Sequence, residues 1–72
     1  MPIQIVLNII NSMFILIGVL KSILVRQRII IRELKALTDT RALDESLVLV
    51  GENYDVLESL EGKLAKQEEQ LK

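Results

Sequence analysis

This 72-residue chain contains neither His nor Cys, so the side chains left to do chemistry are carboxylates, amides and hydroxyls beside its nine lysines and arginines. Four of the ten carboxylates come as adjacent pairs, Asp44-Glu45 and Glu68-Glu69. Paired carboxylates can share acid–base work, but consecutive residues of a helix point in different directions, so neither pair converges on one substrate atom. Nucleophilic catalysis lacks a base, and zinc lacks its usual His and Cys ligands. A calcium loop needs oxygen ligands at alternating positions around a Gly, which residues 39–52 do not offer. The expectation is a chain that is not an enzyme and takes no cofactor and no metal.

The amides and hydroxyls are better placed. Asn8 follows Gln4 by four residues, and Asn11 and Ser12 follow Asn8 by three and four, so all four share one helical face. Gly18 and Ser22 extend the stripe. Its chemistry is hydrogen bonding and close approach. Associating membrane helices use small and amide residues in this way, at about 1 kcal/mol per interhelical bond. A blander reading leaves Gln4 to Ser12 near the outer headgroups facing water, or lays the whole segment flat in the interface.

That stripe sits in a run from Ile3 to Leu20 without one charged residue, in which thirteen of eighteen are Ile, Val, Leu, Met or Phe. As a helix the run covers about 27 Å, and extension through Val25 gives about 34 Å, enough for a hydrocarbon core of roughly 30 Å. Lys21 is compatible with this span if its ammonium snorkels to the headgroups. A cleaved signal peptide fits less well, since no basic residue precedes the run and no small-residue cleavage motif follows it.

Charge is divided into blocks that the overall net of −1 conceals. Residues 21–41 carry Lys21, Arg26, Arg28, Arg32, Lys35 and Arg41 against Glu33 and Asp39, a net of +4, while residues 42–72 hold eight acids against three lysines, a net of −5. Cations gathered after the span predict a cytoplasmic C-terminal part and a short translocated N-terminus. Lys21, Arg26, Arg28, Arg32 and Lys35 are the expected headgroup contacts, at roughly 1 kcal/mol per cation near an anionic surface. Within Ile23 to Leu37 the segment is amphipathic, and it either continues the membrane helix or bends along the surface. No Pro or Gly lies between Gly18 and Thr38 to force a kink, which favours one helix from about Pro2 to Leu37.

Thr38-Asp39-Thr40-Arg41 reads as a boundary, with Asp39 or Thr40 capping a second helix. Beyond it Leu43, Leu47, Val50, Tyr54 and Leu57 follow the alternating four-and-three steps of a heptad seam for a partner helix. The apolar residues then continue at Leu60 and Leu64, which predicts a three-residue slip of register beside Gly62 and weak pairing after it, where Gln67 takes a seam position. Two other arrangements compete for this region: a β-hairpin turning at Gly51-Glu52-Asn53, and two short helices broken at Gly51. The acidic tail of one molecule could also meet the basic hinge of another in a lateral array.

The fold class is therefore all-α. A transmembrane helix (residues 1–25) continues into a basic juxtamembrane helix (26–37), followed by a boundary (38–41) and an acidic, coiled-coil-like assembly helix (42–72). The expected role is that of a structural or assembly subunit, single-pass, N-terminus outside, with membrane lipid and further copies or a larger complex as partners. No nucleic acid is expected. The basic residues are few and interrupted by Ile29–Ile31, and Phe14 and Tyr54 are the only aromatics for stacking. No small-molecule substrate is expected either. Two alternatives remain: a holin-like pore lined by the Gln4, Asn8 and Asn11 face, and a soluble helical oligomer that is a structural element of a large particle.

Overall fold

The computed structural model describes residues 2–71, of which 94% are helical. Met1 and Lys72, the outer ends of the first and last expected segments, lie outside the described residues. Two helices make up the chain, α1 (Ile3–Leu37) and α2 (Arg41–Leu71), and no strand occurs among the described residues. They fold back on one another as an antiparallel hairpin whose Cα envelope measures 54 × 15 × 14 Å. At 1.5 Å per residue α1 alone is about 52 Å long, so the hairpin is one helix length by two helix widths.

α1 starts where Pro2, at φ −61° and ψ 133°, supplies its carbonyl to the Val6 N–H at 3.4 Å. It runs without a kink through the basic segment, which places residues 26–37 on the same axis as the apolar run. It stops at Thr38, which is extended (φ −146°, ψ 99°) and whose N–H closes the last turn on the Leu34 carbonyl at 2.8 Å. Two residues later Thr40 opens α2. Its hydroxyl accepts from the Leu43 N–H at 3.4 Å and its carbonyl from the Asp44 N–H at 3.3 Å, so Thr40 rather than Asp39 is the cap, worth about 1 kcal/mol. Asp44 in the first turn suits the positive end of the helix dipole, and Lys35 suits the negative end of α1.

α2 is unbroken at Gly51 and Gly62, against both the hairpin and the two-helix alternatives for this region. Neither glycine has a positive φ, and a Cβ built on either meets nothing within 4 Å. The backbone therefore carries the entropic cost of glycine with no steric need for it. Gly51→Ala and Gly62→Ala should each stabilise the hairpin by about 0.5–1 kcal/mol in urea unfolding; a loss of stability at either position would contradict this packing.

Burial follows heptad spacing on both helices. On α1 the covered positions are Leu7, Ile10, Phe14, Ile17, Lys21 and Leu24, then Ile31 and Lys35, with Val6 beside Leu7 in the first turns. On α2 they include Leu43, Leu47, Val50, Tyr54, Leu57, Glu61, Leu64, Glu68 and Leu71. Steps of three and four alternate along α2 from end to end, so the expected slip at Leu57–Leu60 is absent. Leu60 is 44% exposed and Glu61 takes its place in the seam; likewise Gln67 is exposed, and Glu68 and Leu71 carry the seam to the end of the helix. The reason lies across the interface, where a lysine faces Glu61.

Candidate functional site: the seam and the exposed faces of α1

Lys21 is the one charged residue in the middle of the α1 seam, and α2 is built around it. Its ammonium lies 3.5 Å from Glu61 Oε1 and 3.9 Å from Glu58 Oε1, and 5.0 Å from the centre of the Tyr54 ring. The Lys21 side chain is only 19% exposed, so two carboxylates and an aromatic face together compensate its partial loss of water. A glutamate at a seam position would be costly opposite a leucine. Opposite Lys21 it completes a charge-assisted hydrogen bond.

A second bridge, Lys35 to Asp44, closes the loop end. Lys21 and Lys35 are fourteen residues apart, as are Asp44 and Glu58, so both bridges hold one register over two heptads. Acids of the −5 block thus meet two cations of the +4 block within one molecule. Hydrogen bonding to the Asp44 carboxylate, and its charge, raise the Lys35 pKa above the ordinary 10.5, with Asp39 adding to the effect. A raised lysine pKa contributes stability that is complete below the ordinary value and is lost as pH rises through the folded one. The loop end should therefore loosen only in the alkaline range. A 13C titration of the Lys35 ε-carbon with a midpoint at or below 10.5 would remove this link.

The other expected headgroup cations are Arg26, Arg28 and Arg32, all exposed. Arg28 and Arg32 border a groove of about 530 Å³ whose opposite wall includes Val50, Tyr54 and Asp55. Arg26 borders a second groove together with Lys21 and Glu61. Of the five cations on α1, Lys21 and Lys35 are thus paired with acids of α2, and the three arginines border its grooves while remaining exposed.

The polar stripe is on neither wall of the seam. Gln4, Asn8, Asn11, Ser12, Gly18 and Ser22 are all exposed. Their polar groups are partly satisfied along the helix: Gln4 Nε2 donates to Asn8 Oδ1 at 3.2 Å, Ser12 Oγ to the Asn8 carbonyl at 3.0 Å, and Ser22 Oγ to the Gly18 carbonyl at 3.0 Å. A Cβ at Gly18 would meet nothing within 4 Å, so a neighbouring helix has room to approach there.

The rest of α1 is apolar and uncovered. Its most apolar eighteen-residue stretch has a mean hydropathy of 2.2, and only 11% of that stretch is buried. Ile15 is 67% exposed and Leu16 61%. On one side Met13, Leu16 and Leu20 form a groove of about 450 Å³ with Leu57, Leu60 and Leu64 of α2. α1 is therefore long and apolar enough to cross a membrane, and α2 covers one narrow side of it. Among the described residues no three acidic side chains converge where a metal ion could be held. Sequence reasoning missed Glu61 and Glu58 as functional residues; the signal available was that Glu61, not Leu60, continues the strict heptad from Leu43.

No protein-family model matches this chain, and neither the curated proteins nor the solved structures contain one similar enough to count as a relative.

Proposed function

We propose that this protein is a non-enzymatic, single-pass membrane subunit that works by assembly. α1 anchors it through residues 3–25, and α2 is a cytoplasmic helix offered to a partner. The observation that carries the reading is that only 11% of the most apolar eighteen-residue stretch of α1 is buried, and water disfavours the rest of its apolar surface at about 25 cal/mol per Å². Lipid is the simplest cover for a helix of that length. Cations after the span, and none before it within the sequence, favour the N-terminus outside.

Lateral packing falls to the stripe from Gln4 to Ser22, which is exposed along its length, borders α2 only at Gly18 and Ser22, and remains available to other copies of α1. α2 itself is poorly suited to parallel pairing with a second α2, because Glu61 would then face Glu61 across the seam. Its natural partner is a helix with apolar heptads and a cation opposite Glu61. α2 does not enter the bilayer. Between Asp55 and Glu69 it carries seven charged residues, each costing about 2.5–3.5 kcal/mol at the centre of a span. The four buried side chains of the seam return only about 1.5–3 kcal/mol each.

Carbonate extraction of membranes containing the full chain tests the anchor, and the mass of the detergent-solubilised species, with and without residues 42–72, tests assembly. The reading expects a carbonate-resistant oligomer that survives removal of α2. Release without detergent would overturn the anchor, and a monomer in both cases would overturn self-association. One observation favours a second reading, a soluble helical element of a large particle: α2 lies along the apolar half of α1, as it would if protein rather than lipid covered that half. Carbonate release of an intact oligomer is the result that would select it.

A further inference from the structure

The two surfaces on which the membrane reading depends cover each other in the hairpin. The α2 seam is occupied by α1, and Lys21 and Lys35 are bound to α2 carboxylates rather than free for headgroups. The hairpin and the spanning anchor are also mutually exclusive beyond the loop end. The register that sets Lys21 beside Glu58 and Glu61 also sets Ile9 and Ile10 beside Gln70 and Leu71, so an inserted α1 would draw the charged half of α2 into hydrocarbon.

We propose that the hairpin is the closed, water-facing form of the chain and that an anionic bilayer is the ligand that opens it. Headgroup phosphates replace the Asp44, Glu58 and Glu61 carboxylates on the α1 cations, and lipid tails replace the seam around Ile10, Phe14 and Ile17. The exchange is balanced in kind. Each partner that α2 supplies to α1, acidic groups for cations and apolar surface for apolar surface, has a counterpart at the membrane surface. It is directed by charge, since the +4 block, in which α2 pairs Lys21 and Lys35 while Arg26, Arg28 and Arg32 stay exposed, is the block an anionic leaflet attracts. The hinge is short and already outside both helices: residues 38–40 link α1 to α2, so opening needs rotation at three residues and melts neither helix. Opening also releases the α2 seam, so that the membrane licenses the partner contact. This inference rests on the membrane reading.

The absence of cysteine allows unique labelling. Ile9→Cys and Gln70→Cys, two positions lining one groove, carry pyrene in the full chain, diluted with unlabelled chain so that any excimer is intramolecular. The labelled chain is presented without vesicles, with phosphatidylcholine vesicles, and with mixed phosphatidylcholine–phosphatidylglycerol vesicles. Excimer emission is expected in the first two and should fall about tenfold in the third, as the population moves from mostly closed to mostly open. In buffer Lys21→Glu should abolish the excimer and the added pair Glu58→Lys with Glu61→Lys should restore it. Four results would overturn the proposal: aggregation or no excimer in buffer, equal loss on both vesicle types, an excimer indifferent to Lys21→Glu, or an excimer that persists in carbonate-resistant chains on anionic vesicles. The last leaves the membrane anchor standing. Failure to bind either vesicle removes the anchor as well, so the two readings fail separately.

Discussion

Chains carrying Ile15→Arg and Leu16→Arg together will be recovered in the soluble fraction after carbonate extraction, while the unaltered chain stays with the membrane. Both positions lie near the middle of the 3–25 run and are among the most exposed apolar side chains of the hairpin. An arginine at the centre of a span costs about 2.5–3.5 kcal/mol on the insertion scale, so the pair removes about 6 kcal/mol, on the order of 10⁴ in partition. The same substitutions should change urea stability of the hairpin by less than about 0.5 kcal/mol, because arginine is a good helix former and both side chains point to solvent. The two readouts therefore separate. If the double variant remains carbonate-resistant, lipid is not what covers α1, and the soluble particle element becomes the better reading.

The converse result is expected from α2. Leu64, 6% exposed, and Val50, 8% exposed, are its two buried side chains, and neither belongs to the span. Truncating a buried leucine to alanine costs about 2–5 kcal/mol, and the value here should fall at the low end, because a two-helix seam can collapse around the lost methyl groups. Leu64→Ala with Val50→Ala should thus destabilise the hairpin by about 3–4 kcal/mol, a large share of what two helices can hold. Fourteen residues separate the two sites, so their effects should add. Urea unfolding followed by circular dichroism measures the loss. Membrane association of the same variant should be unchanged or enhanced, since α1 is intact and less masked. Reduced association would mean that α2 assists insertion rather than opposing it.

Parts of this molecule follow from local sequence alone. The limits of α1 follow from the absence of any proline between Pro2 and Thr38, and the start of α2 follows from the Thr38-Asp39-Thr40 cluster, because capping depends on a few neighbouring residues. The seam from Leu43 to Leu57 is equally local in origin. Glu61 is different. An acid on an otherwise apolar seam looks like a fault until its opposite number is known, and Lys21 lies forty residues away in the chain.

Sequence by itself determined an all-α chain, its boundary at residues 38–41, the apolar run and the separation of charge into +4 and −5 blocks, because periodicity and capping act within a few turns, while the continuity of α2 through Gly51 was left to the fold. It left open what each face meets. A heptad stripe is the same pattern whether its partner is a copy, a stranger or the preceding helix of its own chain. Only the tertiary structure decided that α2 turns back on α1, that Lys21 and Lys35 face carboxylates, and that Leu60 yields its seam position to Glu61. The physical reason is that burial and ion pairing belong to pairs of residues, and a three-residue loop settles which pairs can form.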